Sequence, residues 1–324
     1  MPSIHFEGRE FPVQVGETVL DCLLRNGIEI SHSCKAGSCQ SCLVKGSDGP
    51  IPEFAQKGLK DTLRAQGYFL ACSCQLKADL TVTRAGSEAR VEALISGVDR
   101  LNDTVLQVRL KPGVPLAYFA GQYVSVFRED GLARAYSLAS LPDEQELALH
   151  VRMIPGGAMS GWLSSVAPGT KVWLQGPAGN CFYARSTADE PILLAGAGTG
   201  LAPLYGIVRD ALRQGHTGDI WLFHGALTPS GLYLTHELSE LARTHPNFHY
   251  VRSVRAGSDD RNGSGGIEVR ELDQCILSRF PSLKGWKGYV CGDPALVNSL
   301  RKKLFLAGMA SKAIYTDAFV PTAA

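Results

Sequence analysis

No stretch of this 324-residue sequence is apolar for long enough to cross a bilayer, which takes about 20 predominantly apolar residues. The first residues, Met1 to Phe11, lack the basic segment and apolar core of an export signal, so the sequence predicts a cytoplasmic protein without membrane association. An excess of charge of one sign is missing too. Lys and Arg number 32 and Asp and Glu 31, a formal net charge of +1, so no global field marks nucleic acid or an anionic membrane as a partner. Low-complexity tracts are absent, and 45% apolar with 19% charged residues excludes wholesale disorder. The length exceeds one typical domain and points to two or three.

Cysteine, by contrast, is plentiful. An odd number, nine, cannot all pair within the chain, and a disulfide framework belongs to shorter secreted chains. The clustering of Cys34, Cys39 and Cys42 points to metal instead. Cys34-x4-Cys39-x2-Cys42, followed by Cys72 after 29 intervening residues, has the spacing that holds a [2Fe-2S] cluster in plant-type ferredoxins. Small residues in the loop, Ala36, Gly37, Ser38 and Ser41, let backbone N–H groups turn toward the sulfurs. The competing reading, buried or zinc-binding cysteines, fits less well because zinc sites more often show paired C-x2-C knuckles. Cys74 competes with Cys72 for the fourth ligand position. The text GYFLACSCQ resembles the ligand segment of plant-type ferredoxins, in which the ligand follows Leu-Ala or Leu-Thr, and that resemblance implies Cys72. Cys22, Cys181 and Cys275 stand apart and read as structural.

Three rhythms run along the chain. Ile4 and Phe6, then Phe11, Val13 and Val15, alternate around Glu7-Gly8 as a hairpin with one buried face. A short helix follows, with Thr18 as cap, Leu20, Leu23 and Leu24 as its apolar stripe, and Gly27 as its stop. Arg84 to Arg90 has linker composition. From Val91, short period-two strands separated by Pro and Gly turns predict an antiparallel barrel or sandwich: Leu106 to Leu110, Val124 to Val126, Leu147 to Met153, and Val172 to Leu174. After Pro191, strands at Ile192 to Ala195, Ile220 to Phe223, His249 to Val254 and Gly288 to Cys291 alternate with helical stretches, which predicts a parallel sheet flanked by helices.

Four segments carry cofactor chemistry. In Arg134-Ala135-Tyr136-Ser137 an arginine can pair with a phosphate, a tyrosine can lie against a planar ring, and a serine can reach a polar atom of that ring. Gly156-Gly157-Ala158-Met159-Ser160 offers phosphate donors in a glycine-rich turn, with Gly157, Met159 and Ser160 as candidates. His150 and Arg152 share a strand face and can help hold the cofactor or simply face solvent. Gly198-Thr199-Gly200 lies at a strand-to-helix turn, where glycines let backbone approach a pyrophosphate over the helix N-terminus. Cys291-Gly292-Asp293-Pro294 again joins strand to helix, with Asp293 suited to the cap and Pro294 to the first turn.

Together with Gly121-Gln122-Tyr123 and the Gly-Thr-Gly-x-Ala-Pro context, these segments resemble the ferredoxin-NADP reductase superfamily over essentially the whole chain. That resemblance implies a multidomain α+β and α/β protein: a β-grasp [2Fe-2S] ferredoxin domain (1–86), an antiparallel β-barrel FAD domain (87–188) and a parallel α/β NAD(P)-binding domain (189–324). It implies Ser137 and Cys291 beside the reacting flavin and nicotinamide, with Cys291, Gly292 and Asp293 on the nucleotide. The ending Ile314 to Phe319 is similar to the tail of reductases serving aromatic-ring dioxygenases and implies that Phe319 covers the flavin. Gly231 precedes Leu232-Tyr233 where NADH users often carry an acid, and Leu227 stands where an arginine is frequent. NADH is the expected reductant, with NADPH open and Arg252 or Arg255 available to a 2'-phosphate.

The expected function is hydride transfer from NAD(P)H to FAD, then single-electron transfer through the cluster to an oxygenase component or an intermediate ferredoxin. A Rieske-type dioxygenase is favoured over a diiron monooxygenase as acceptor, and the chain is expected to be a monomer. A reductase for a non-oxygenase acceptor, such as a deoxysugar dehydratase, is the alternative enzyme. A non-enzymatic redox-responsive binding protein is the third reading, against which the intact flavin and nicotinamide segments argue.

Overall fold

The computed structural model describes residues 2–30, 32, 35, 37, 42–85, 90–184, 188–256 and 266–319. It divides into two units, Met1–Ser87 and Glu88–Ala324.

The first unit is a five-stranded mixed sheet with a helix against it. Strands β1 (Ser3–Phe6) and β2 (Arg9–Pro12) form a hairpin whose two turn residues, Glu7 and Gly8, both have positive φ, the geometry that matches strand twist in a two-residue turn. With β3 (Leu43–Ser47), β4 (Tyr68–Leu70) and β5 (Leu80–Arg84) the order is β2-β1-β5-β3-β4, and only β1 and β5 run parallel. Helix α1 (Val19–Arg25) starts as its sequence predicts: the Thr18 hydroxyl accepts from the Asp21 N–H at 3.2 Å and donates to the Asp21 carboxylate at 2.6 Å. Such a cap contributes about 1 kcal/mol. Leu20 and Leu23 of α1 join Ile4, Phe6, Phe69, Leu80 and Val82 in the core. A second helix, α2 (Asp61–Ala65), is one short turn. The two ends of the stretch read as a linker are among the described residues. Arg84 ends β5 and pairs with Glu7, and Arg90 lies over the Phe127 ring, while 86–89 fall outside the described residues.

The second unit holds a barrel and a parallel sheet. Strands β6 (Val91–Asn102), β7 (Val105–Pro112), β8 (Tyr123–Phe127), β9 (Ala133–Ser137), β10 (Leu147–Arg152) and β11 (Lys171–Ala178) are ordered β10-β7-β6-β11-β8-β9, every pair antiparallel. A bridge between Leu138 and Leu149, with the Ala139 N–H on the Ala148 carbonyl, joins the last strand to the first. This closure makes the sheet a barrel rather than a sandwich. Helix α3 (Ala158–Leu163) follows β10.

Next come β12 (Ile192–Ala197), α4 (Leu201–Arg213), β13 (Ile220–Ala226), α5 (Thr235–Thr244), β14 (Phe248–Val254), β15 (Ile267–Val269), α6 (Leu272–Arg279), β16 (Lys287–Gly292), α7 (Pro294–Leu306) and β17 (Ile314–Ala318). All pairs are parallel, in the order β15-β14-β13-β12-β16-β17. Because β13 lies on one side of β12 and β16 on the other, strand order reverses at β12, and ligands of such sheets bind beyond the carboxyl ends at that point. Ion pairs Arg209–Glu144 and Arg213–Asp143 tie α4 to the loop before β10.

Candidate active site

Strand β12 runs directly into Gly198-Thr199-Gly200, a single tight turn that opens α4. A Cβ on Gly200 would lie 2.3 Å from the Cys291 carbonyl oxygen, so only glycine lets β16 close against this turn. Gly198 has φ +54 and open space where a side chain would project. A backbone turn left open on one side, beside the first N–H groups of α4, fits a pyrophosphate. Asp293 uses its carboxylate to accept the Ala295 N–H at 2.8 Å, capping α7 behind Pro294 as expected.

At the same edge four side chains from distant parts of the chain meet. Ser137, at the end of β9, donates its hydroxyl to Asp317 of β17 at 2.7 Å. Asp317 stands opposite Cys291 in the β16–β17 register. The Cys291 Sγ lies 3.5 Å from the Cys181 Sγ. Burial raises the Asp317 carboxyl above its ordinary range, against the opposing pull of the Ser137 hydroxyl. Burial also pushes the Cys291 thiol well up, with Cys181 and Asp317 adding to it, so Cys291 is a neutral thiol at physiological pH. Beyond β17 the Phe319 N–H donates to the Gly292 carbonyl at 2.8 Å, holding a half-exposed Phe319 next to the Cys291-Gly292 turn.

The other sequence-derived candidates separate. Arg134 and Tyr136 are half-buried and Ala135 is exposed on β9. Arg134 donates to the Ala133 carbonyl at 2.7 Å through one of its nitrogens, leaving further guanidinium donors for an anion. Gly157 precedes α3, Met159 packs into the barrel core, and the Ser160 hydroxyl accepts from the Ile154 N–H at 3.1 Å. The side chains of Met159 and Ser160 are therefore both engaged within the barrel unit. His150 and Arg152 part company. Arg152 is exposed, whereas His150 is buried with Nδ1 3.2 Å from the Tyr233 hydroxyl, and its pKa falls to about 3 by desolvation. Arg255 is paired with Glu271 and Arg252 lies over the Tyr250 ring.

In the first unit, Cys42 and Cys72 are brought together. Burial, with Cys72 as its neighbour, pushes the Cys42 thiol up to about 11. Two adjacent thiols in a loop-and-turn setting fit a site where ferric ions take the place of the protons. Cys74 points into the core, fully buried and pushed to about 12. Cys34 and Cys39, and the loop residues Ala36, Ser38 and Ser41, lie outside the described residues. Gly37 is described and turns with φ +73.

Sequence reasoning passed over Asp317, which sits inside the tail text but was given no role, and read Cys181 as an isolated core residue. Both gain meaning only from the register that sets β17 beside β16 and from the path of the chain after β11.

A closed antiparallel barrel and a parallel sheet meeting at a Ser-Asp-Cys cluster, with a separate cysteine-bearing unit, define a flavin- and nicotinamide-dependent iron-sulfur oxidoreductase. Three family models match: a 2Fe-2S iron-sulfur cluster binding domain over residues 4–78, an oxidoreductase FAD-binding domain over 101–183 and an oxidoreductase NAD-binding domain over 194–302. The chain is 33% identical to the ferredoxin–NAD(P)(+) reductase component of a Pseudomonas putida naphthalene 1,2-dioxygenase system, over 97% of this chain and 96% of the relative. It is 34% identical to the reductase subunit of an Amycolatopsis aromatic O-demethylase, over 98% of each. The crystal structure of an Amycolatopsis cytochrome P450 reductase superposes with a TM-score of 0.68 at 30% identity, covering 99% of both chains. The chain belongs to the family of ferredoxin–NAD(P) reductase components of oxygenase systems, which carry [2Fe-2S], FAD and NAD domains in one polypeptide.

Proposed function

We propose that this chain oxidises NADH, and NADPH with little discrimination, and delivers single electrons to the terminal oxygenase of an aromatic-compound pathway, either directly or through a small ferredoxin. The observation that carries this reading is the Ser137–Asp317–Cys291 contact, which joins the flavin-type strand β9 to the nucleotide-type turn at the point where strand order reverses. FAD, when bound, supplies the exchange between the paired electrons of a hydride and the single electrons of an iron-sulfur cluster. Arg134 and the turn at Gly157 would hold its phosphates, Tyr136 would face its ring, and Ser137 and Cys291 would line the place of hydride transfer. Gly198 to Gly200 would take the pyrophosphate of the nucleotide. Cys34, Cys39, Cys42 and Cys72 would hold the cluster. The dividing points 86/87 and 188/189 separate the three modules.

The lack of nucleotide discrimination rests on residues 226–234 at the carboxyl end of β13, the adenosine-ribose side of such sheets, which contain no carboxylate. The acceptor assignment rests on relatives named for a naphthalene dioxygenase, an aromatic O-demethylase and a xylene/toluene monooxygenase. The chain is assigned to the cytoplasm as a monomer. No helix among the described residues is long and apolar enough to cross a membrane.

The test is affinity capture from the native extract, followed by reconstitution with NADH. A captured oxygenase or ferredoxin that is reduced and supports oxygenation of an aromatic substrate is the expected result. Capture and reduction of a dehydratase instead would overturn the acceptor assignment.

A further inference from the structure

The Ser73 hydroxyl reaches across to the cysteine-bearing loop. Its Oγ lies 3.7 Å from the Cys72 Sγ. It also occupies the space beside Gly37, where a Cβ on that residue would approach it to 2.8 Å. Gly37 has φ +73, a conformation that glycine adopts without strain. The same glycine thus turns the loop and makes room for the hydroxyl. Ser73 itself is in the short turn Ala71–Ser73, which places Cys74 in the core and leaves Ser73 half-buried on the Cys72 side.

Between a thiol and a hydroxyl either atom can donate. Between a thiolate and a hydroxyl only the hydroxyl can. We propose that Ser73 donates a hydrogen bond to the Cys72 thiolate in the cluster-bound protein and thereby raises the cluster's reduction potential, with Gly37 conserving the space it needs. The inference rests on Cys72 as a cluster ligand and goes beyond it. A donor to a coordinating sulfur stabilises the more negative, reduced state over the oxidised one, which is among the ways a protein sets such a potential. Ser73 acts through Cys72 and is a positioning residue, needed for the value of the potential and not for holding iron.

The experiment is an anaerobic redox titration of the full-length protein, followed by visible absorption and by the reduced-cluster EPR signal, alongside iron analysis. Ser73→Ala should keep the iron content of the unsubstituted protein and shift the midpoint to a more negative potential. Ser73→Thr, which keeps the hydroxyl, should recover most of that shift. Gly37→Ala, whose methyl group takes the hydroxyl's space, should shift the potential in the same direction, and should add little when combined with Ser73→Ala. An unchanged midpoint in Ser73→Ala at full iron content overturns the proposal, as does loss of iron from that variant, which would give Ser73 a structural role. Absence of iron from the unsubstituted protein would overturn the underlying assignment of Cys72 instead.

Discussion

Cys72 and Cys74 are two positions apart and chemically identical, yet the fold gives them opposite surroundings. Cys72 is partly exposed and adjoins Cys42, whereas Cys74 is fully buried in the core of its unit. Cys72→Ser should therefore lose the cluster and its visible absorption, while Cys74→Ser should retain both, as iron analysis of the two purified variants would reveal. Iron lost from Cys74→Ser alone would reverse the assignment. Asp317 offers a second measurement at this scale. Its carboxyl is raised in the folded state above an unfolded value of about 3.9, so folding favours its protonated form. Its contribution to stability is full below about pH 4 and declines as pH rises through the folded value. Relative to the parent, Asp317→Asn should gain stability as pH rises across that window and level off above it. Urea unfolding at several pH values would show this, and a difference that stays flat with pH would argue against the buried-carboxyl account.

The strand-to-helix junctions show most clearly how elements make the site. β12, β13 and β16 end together at the sheet's carboxyl edge, and each contributes a different kind of terminus. β12 ends in a glycine turn, β16 ends in Cys291-Gly292, and β13 ends in an uncharged loop. In that loop Leu227 is 63% exposed and the Ser230 and Gly231 carbonyls accept from Asn102 of the barrel. A carboxylate placed there would repel a 2'-phosphate while accepting from a ribose hydroxyl. Gly231→Asp should consequently raise KM for NADPH roughly tenfold over its effect on NADH, about 1.4 kcal/mol of discrimination. Equal effects on the two nucleotides in steady-state kinetics would place the ribose elsewhere. Another consequence of element packing is the pair of buried imidazoles, His150 on β10 and His224 on β13, both depressed to about 3 by burial. Each rests as a neutral ring beside a tyrosine hydroxyl: His150 reaches Tyr233 from the barrel, whereas His224 and Tyr250 are neighbours within the parallel sheet.

At the scale of the whole molecule, the two units have separate cores: one built around Phe6, Leu20 and Phe69, the other around the barrel and the two faces of the parallel sheet. A chain beginning at Ala89 should therefore fold, bind FAD and oxidise NAD(P)H with ferricyanide as acceptor, because both hydride-handling modules are retained. Delivery of electrons to the oxygenase should collapse, since the 2Fe-2S cluster binding domain is gone. Stopped-flow bleaching of the flavin by NADH should be nearly unchanged. If the truncated chain reduced the oxygenase at the full-length rate, the cluster would lie off the electron path.

Much of this was legible from local pattern alone. The hairpin at Glu7-Gly8, the cap at Thr18, the glycine turn after β12 and the Asp293-Pro294 start of α7 all depend on neighbours within a few residues, where backbone sterics and orphan N–H groups leave few choices. Period-two and helical patterning likewise marked which strands alternate with helices and which do not. What tertiary structure alone decided was adjacency across long separations. Ser137 meets Asp317 from 180 residues away and Cys181 meets Cys291 from 110. His150, read as a possible cofactor ligand on a strand face, is sealed against Tyr233 because the barrel packs on the parallel sheet. Strand alternation gives a side chain's face but not what covers that face. The closure of the barrel through Leu138 and Leu149, and the register of β16 with β17, follow from how whole sheets pack, which strand patterning does not encode.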